Sequence, residues 1–128
     1  MAQPVLLDTD VIVDFLRGVE QAGTLVRAHA DRIILSSIVV AELYAGVKGH
    51  EEEAKLADFI SMFQVVSVTL EIGKSGGLLK RDYGKAHGIG LADAIVAATT
   101  QAYKAELKTL NIRHYPMFKG LKPAYAKA

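Results

Sequence analysis

The chain has 128 residues, 51% hydrophobic and 23% charged with no cysteine, which excludes a disordered protein, a disulfide scaffold and any thiolate metal site. Its length suits one domain around one sizeable core, so residues 1–128 are expected to fold as a unit. The net charge of +1 hides a split: residues 1–71 hold 5 Lys/Arg against 11 Asp/Glu, whereas residues 72–128 hold 10 against 3. An acidic half beside a basic half points to a cation site next to a polyanion-binding surface.

Taken in order, Val5-Leu6-Leu7 reads as a fully buried strand with Asp8 at its carboxyl end. Val11–Leu16 is a short helix stopped at Arg17-Gly18, and residues 20–30 form a second with Leu25 and Val26 inward. Ile33–Leu35 is the next strand. Ser36-Ser37 offers the cap for a helix from Ile38 to Val47, closed by Gly49. Glu51–Glu53 opens a helix whose Leu56, Phe59, Ile60 and Phe63 face the core. Val65–Val68 is a third strand, and Thr69 caps a long helix towards Lys85 that Gly76-Gly77 weakens and His87-Gly88 ends. After Ile89-Gly90 comes an alanine-rich helix from Leu91, then a weaker strand over Glu106–Leu110 and a short strand or turn near His114-Tyr115. Strand–helix alternation implies an α/β three-layer sandwich, with a short parallel sheet of four to five strands and helices on both faces. No apolar run approaches the ~20 residues of a membrane span and no signal peptide is visible, so a soluble cytoplasmic protein is expected.

Three acids stand in apolar settings: Asp8 at the end of the first strand, Glu42 within Ile38–Gly46, and Asp93 in the first turn of the alanine-rich helix. Asp8 and Asp93 each have a plain alternative as helix caps. Glu42 is harder to read as a surface residue, because its neighbours leave little solvated face. If the three converge they form an all-oxygen site, which selects Mg²⁺ or Mn²⁺ over Zn²⁺ and serves phosphoryl chemistry. No phosphate-binding glycine loop and no Ser–His–Asp arrangement is present.

The stretches Leu6–Gly18, Val40–Gly46 and Gly90–Thr99 resemble, in order and spacing, the three acidic motifs of the PIN-domain family, and Thr109–Pro116 resembles its fourth. The match covers nearly the whole chain and is most similar to the VapC toxins of toxin–antitoxin pairs. The resemblance implies a Mg²⁺- or Mn²⁺-dependent endoribonuclease on a PIN-like fold, usually a homodimer, neutralised by a VapB-type antitoxin. Carried over by position, Asp8, Glu42 and Asp93 become the metal-binding and catalytic carboxylates. The fourth position, often Asp in the family, is Asn111, whose amide can ligate but brings no charge. Thr9 falls beside the site, and Thr109 is either a partner of a carboxylate or a plain strand residue. Arg17, Lys80, Arg81, Lys85 and Arg113 are candidates for binding the RNA backbone, with Lys108 and Lys119 weaker. Asp10 and Asp14 read either as acids behind the metal ligands or, the more ordinary case, as helix-start and exposed acids; His87 and His114 either touch RNA or, as lone histidines more often do, serve structure.

Two rivals stand beside this reading. Asp8-Thr9-Asp10 after an apolar run also fits a haloacid-dehalogenase-like phosphatase, but after Asp93 only Glu106 remains where that family needs a pair of acids. A PIN scaffold that binds RNA or an antitoxin without cutting is the other, and Asn111 is its main support.

Overall fold

The computed structural model describes residues 2–127. Four short strands form its sheet: β1 Val5–Leu7, β2 Ile33–Ser36, β3 Gln64–Val66 and β4 Glu106–Lys108. Between β1 and β2 lie α1 Thr9–Leu16 and α2 Glu20–His29; between β2 and β3, α3 Ser37–Ala45 and α4 Gly49–Ser61; between β3 and β4, α5 Leu70–His87 and α6 Leu91–Ala102. All strand pairs are parallel, in spatial order β3-β2-β1-β4, with Leu6 facing Ile34 on one side and Leu107 on the other. Successive strand residues point to opposite faces, yet Val5, Leu6 and Leu7 are all 0% exposed and Ile33, Ile34 and Leu35 are also buried. Helices therefore cover both faces, giving the expected three-layer sandwich with four strands among the described residues.

This order positions the site. The chain steps from β1 to β2 to β3, then crosses back to lay β4 on the opposite side of β1. Where the direction reverses, the segments leaving β1 and β4 diverge and open a crevice beyond the carboxyl ends of the strands, the place where open parallel sheets bind ligands. Asp8 leaves β1 there, and Thr109 leaves β4 beside it.

Caps explain most helix boundaries. Ser36 Oγ accepts from Ile38 N, Thr69 Oγ1 accepts from Ile72 N, and Gly88 closes α5 in the left-handed conformation at φ 64°. Glu52 reaches back to the Lys48 backbone N–H at 2.9 Å and holds the start of α4.

Helices α1 and α4 start two residues before the expected Val11 and Glu51, and four further boundaries depart for a physical reason. Helix α3 ends at Ala45, two residues early, because Gly46 N turns back onto Leu43 O; Gly49, at φ +85°, redirects the chain into α4 instead of closing α3. Strand β3 stops at Val66, because Val68 N donates to Ser37 Oγ rather than to a neighbouring strand. Strand β4 stops at Lys108, because Leu110 N and Thr109 Oγ1 are drawn to acidic side chains. The expected element near His114-Tyr115 is a 3-10 turn over Ile112–His114.

Gly76 does more than weaken its helix. A Cβ there would stand 3.0 Å from Ile95 Cγ1 and 3.2 Å from Ile95 Cα, so glycine is what lets α5 lie against α6. Beyond Pro116 the chain packs back on the core through Phe118, Leu121 and Tyr125, and Ala124 N donates to Thr109 O at 2.9 Å. That return buries Asp14, which was expected to be exposed but is 3% exposed. Its carboxylate accepts from the Tyr125 hydroxyl at 2.8 Å and pairs with Lys127 Nζ at 3.0 Å.

Candidate active site

Asp8 is buried at the end of β1 and meets three donors. Its Oδ1 accepts from Thr9 N at 2.9 Å as the cap of α1, while its Oδ2 accepts from Thr109 Oγ1 and from the Tyr115 hydroxyl, each at 2.8 Å. Asp8 is thus a cap and the centre of a buried network at once.

Asp93 does not cap its helix: the cap position is Gly90, and the Asp93 carboxylate turns instead towards the crevice. There Oδ2 meets His114 Nδ1 at 2.9 Å, and Oδ1 lies 3.5 Å from the Tyr115 hydroxyl. One phenol thus stands between two of the predicted carboxylates. Glu42 joins from α3, its Oε1 accepting from Thr9 Oγ1 at 2.9 Å. The expectation that Glu42 lacks a solvated face is corrected: residues 41, 42, 44, 45 and 46 are exposed, so its apolar neighbours share an open helix face with it.

The protonation balance reflects crowded negative charge. Burial raises the Asp93 carboxyl and the Asp8 charge raises it further, against His114 and Tyr115. Burial likewise raises Glu42, with Asp93 and Asp8 adding to the rise and the Thr9 hydrogen bond opposing it. Asp10 goes up to about 6, through burial and then Asp8, although the backbone N–H groups of Leu110 and Val11 hold it at 2.9 and 2.8 Å. Burial and the surrounding carboxylates keep the Tyr115 hydroxyl protonated, hence a donor.

Among the described residues no three His, Asp or Glu side chains are already placed to hold a metal ion. The donors Thr9, Thr109, Tyr115 and His114 occupy oxygens that a cation would take. The donor set nevertheless fits a hard divalent ion: it is all oxygen, and burial beside neighbouring carboxylates raises Glu42 and Asp93, a cost that a cation would relieve.

Other candidates are spread more widely. Asn111 is exposed and its backbone N donates to Thr109 Oγ1 at 3.1 Å; among the described residues no hydrogen bond joins its side chain to the three acids. Lys80 Nζ donates to Ile89 O at 2.5 Å and ties α5 to the segment before α6. Arg81 pairs with Asp82 at 2.8 Å on the surface. Lys85 and Arg113 are exposed, and Arg17 borders a groove that also reaches Thr9 and Glu42. Sequence reasoning missed Tyr115 as a neighbour of the site, and it preferred a structural role for His114 and an ordinary helix-start role for Asp10 over the site roles it left open for them. The signal was present, since Tyr115 and His114 both lie inside the fourth motif, but neither has the acidic character that drew attention to the others.

A parallel α/β sandwich whose strand ends gather carboxylates from three distant segments defines an acid-lined hydrolase-type site. Residues 5–116 match the PIN domain, and the chain belongs to the PIN-domain family. It is 40% identical to Ribonuclease VapC19 of Mycobacterium tuberculosis over 124 residues, which is 94% of this chain and 98% of that protein. Among solved structures, a toxin-antitoxin complex from Klebsiella pneumoniae holds a chain with TM-score 0.81 and 25% identity, covering 94% of this chain and 98% of that one. VapBC2 from Rickettsia felis, bound to a DNA fragment from its promoter, aligns with TM-score 0.76 and 25% identity, covering 91% and 94%.

Proposed function

We propose that this chain, acting as one PIN domain over residues 1–128, is a metal-dependent endoribonuclease and the toxin of a type II toxin–antitoxin pair. The observation that carries the reading is the meeting of Asp8, Glu42 and Asp93 around Thr9 and Tyr115, from segments far apart in the chain. A Mg²⁺ or Mn²⁺ ion held by these three carboxylates would supply water activation and neutralise charge on the leaving oxygen during in-line phosphodiester hydrolysis.

The chain's own residues hold that arrangement. Thr109 and Tyr115 fix one oxygen of Asp8, His114 fixes Asp93, and Thr9 orients Glu42. Asn111 adds no charge at the fourth position, which favours a single ion before RNA binds. Asp10 faces backbone N–H groups at 2.8 and 2.9 Å, which disfavours it as the acid/base of a phosphatase. Attack by water rather than by the 2′-hydroxyl leaves 5′-phosphate and 3′-hydroxyl ends.

The ribonuclease name of a 40%-identical relative supports RNA as substrate, and the VapBC complex among structural neighbours supports a VapB-type antitoxin partner. A homodimer is proposed as what the family resemblance implies. A cytoplasmic location without a membrane partner is proposed together with the toxin reading; no helix among the described residues is long and apolar enough to cross a membrane.

The test is cleavage of end-labelled structured RNA by antitoxin-free protein in Mg²⁺ or Mn²⁺ and in EDTA, beside Asp8→Ala. Metal-dependent cuts with 5′-phosphate ends, absent in EDTA and in the variant, are expected. Retained RNA binding without any cutting would replace the nuclease with a binding module.

A further inference from the structure

Asp14 is a buried carboxylate that the proposed reaction does not use, and it stands near the far end of the helix that Asp8 caps. A charge in such a place destabilises the fold unless it is paired. Both of its partners come from the segment after Pro116: the Tyr125 hydroxyl donates to Oδ2 at 2.8 Å, and Lys127 Nζ meets Oδ1 at 3.0 Å. Burial raises the Tyr125 hydroxyl and Asp14 raises it further, which keeps it protonated and a donor. Gln21 Nε2, on α2, adds a longer contact of 3.4 Å to Ala126 O.

The same segment reaches the carboxylates by another route. Ala124 N donates to Thr109 O at 2.9 Å, and Thr109 Oγ1 donates to Asp8 Oδ2 at 2.8 Å. Thr109 lies just past the end of β4 at Lys108, so its carbonyl is held from outside the sheet. The bonds close a circuit: Asp8 to Asp14 along α1, Asp14 to Tyr125, Tyr125 to its chain neighbour Ala124, Ala124 to Thr109, and Thr109 back to Asp8. Each side is a helix, a peptide unit or one hydrogen bond, which leaves Thr109 little room to move while the circuit is closed.

We propose that Asp14, Tyr125 and Lys127 form a latch that positions Asp8 as a metal ligand, acting through Ala124 and Thr109 without touching metal or RNA. The inference rests on the nuclease reading and adds positioning residues to it. Opening the latch leaves the Asp14 carboxylate buried without its partners, frees the segment around Ala124, and loosens Thr109, one of the two donors on Asp8 Oδ2. Groups that orient a metal ligand change metal affinity by about 10–100-fold, and the latch, one step further out, belongs at the lower end. A segment that served packing alone would change stability and leave metal affinity as it was.

The test uses the full chain as wild type, Tyr125→Phe, Tyr125→Phe/Lys127→Met and Tyr125→Phe/Lys127→Arg, with Lys122→Ala as the control for an exposed charge on the same segment. Mn²⁺ binding is read from the loss of the free-ion EPR signal, and amide hydrogen exchange is read by NMR in EDTA. The variant ending in methionine should bind Mn²⁺ about tenfold more weakly, the arginine version should recover part of that loss, and Lys122→Ala should match wild type. In cleavage at a fixed Mn²⁺ concentration kcat should fall, while KM for RNA stays within about twofold. Exchange at the Ala124 and Leu110 N–H groups, held by Thr109 O and Asp10 Oδ2, should quicken relative to the amides of β1 and β2, which report global unfolding. Protection lost only in step with β1 and β2, or Mn²⁺ affinity equal to wild type, would overturn the proposal. Should the double variant fail to fold, Tyr125→Phe alone gives the same readouts in the same direction, because it keeps the ring. A wild-type chain that binds no Mn²⁺ would remove the metal reading instead, while the exchange pattern, taken without metal, still decides whether the latch holds Thr109.

Discussion

Replacing Tyr115 by Phe isolates one hydrogen bond at the centre of the site. The ring is 1% exposed and lies 6.2 Å from Phe118, centroid to centroid, so phenylalanine keeps its packing. What is lost is the O–H donated to Asp8 Oδ2 at 2.8 Å; the 3.5 Å approach to Asp93 is too long to count for much. Asp8 retains Thr109 on the same oxygen and Thr9 N on the other. A hydrogen bond to a charged group contributes roughly 1.5–3 kcal/mol, and removing the hydroxyl also removes its own desolvation cost, so a loss near the lower end, about 1.5 kcal/mol, is expected in EDTA. The assay is urea unfolding of wild type, Tyr115→Phe, Asp8→Asn and the double variant, which separates the pairwise contribution from its surroundings. The coupling should be about 1 kcal/mol or more, and Mn²⁺ affinity should fall about 10–100-fold, as for other residues that orient metal ligands. An identical midpoint for Tyr115→Phe and wild type, or an equal loss with and without the Asp8 carboxylate, would refute the assignment.

Two pairs of further outcomes follow from the geometry, one of acids and one of glycines. The folded-state pKa of Asp10 stands at about 6 against an ordinary 3.8, so folding takes up a proton between those values. The metal-free protein therefore loses stability at this group as pH rises through about 6, and Asp10→Asn should gain on wild type between pH 5 and pH 7.5, roughly, in urea titrations; a constant difference would count against it. Asp14 runs the other way: burial would raise it, but Tyr125 and Lys127 outweigh burial and lower it, so its contribution is lost on acidification. In α5, Gly76→Ala should destabilise despite better helix propensity, because overpacking against Ile95 costs about 1–3 kcal/mol against a gain of about 1. Gly77→Ala meets open space and should stabilise by about 0.5–1 kcal/mol, so thermal melts of the pair read opposite signs.

Elements with a strong local signal were legible in the chain alone. Val5–Leu7 and Ile33–Leu35 are apolar without alternation because both faces of their sheet are covered, and Thr69 and Gly88 bound α5 through short-range cap chemistry. The acids Asp8, Glu42 and Asp93 stood out for the same reason, as charges in apolar sequence whose order and spacing resemble a family's motifs. Tertiary structure decided what local pattern does not encode. Glu42 faces solvent because α3 leaves one side open, and Asp14 is buried because the tail returns over α1 from more than a hundred residues away. Gly76 is explained by Ile95 rather than by its own helix. Above all, the reversal of strand order between β1 and β4 brings Thr109 and Tyr115 onto Asp8. A hydrogen bond between groups 107 residues apart depends on how the sheet is wound, and no window of sequence contains both ends.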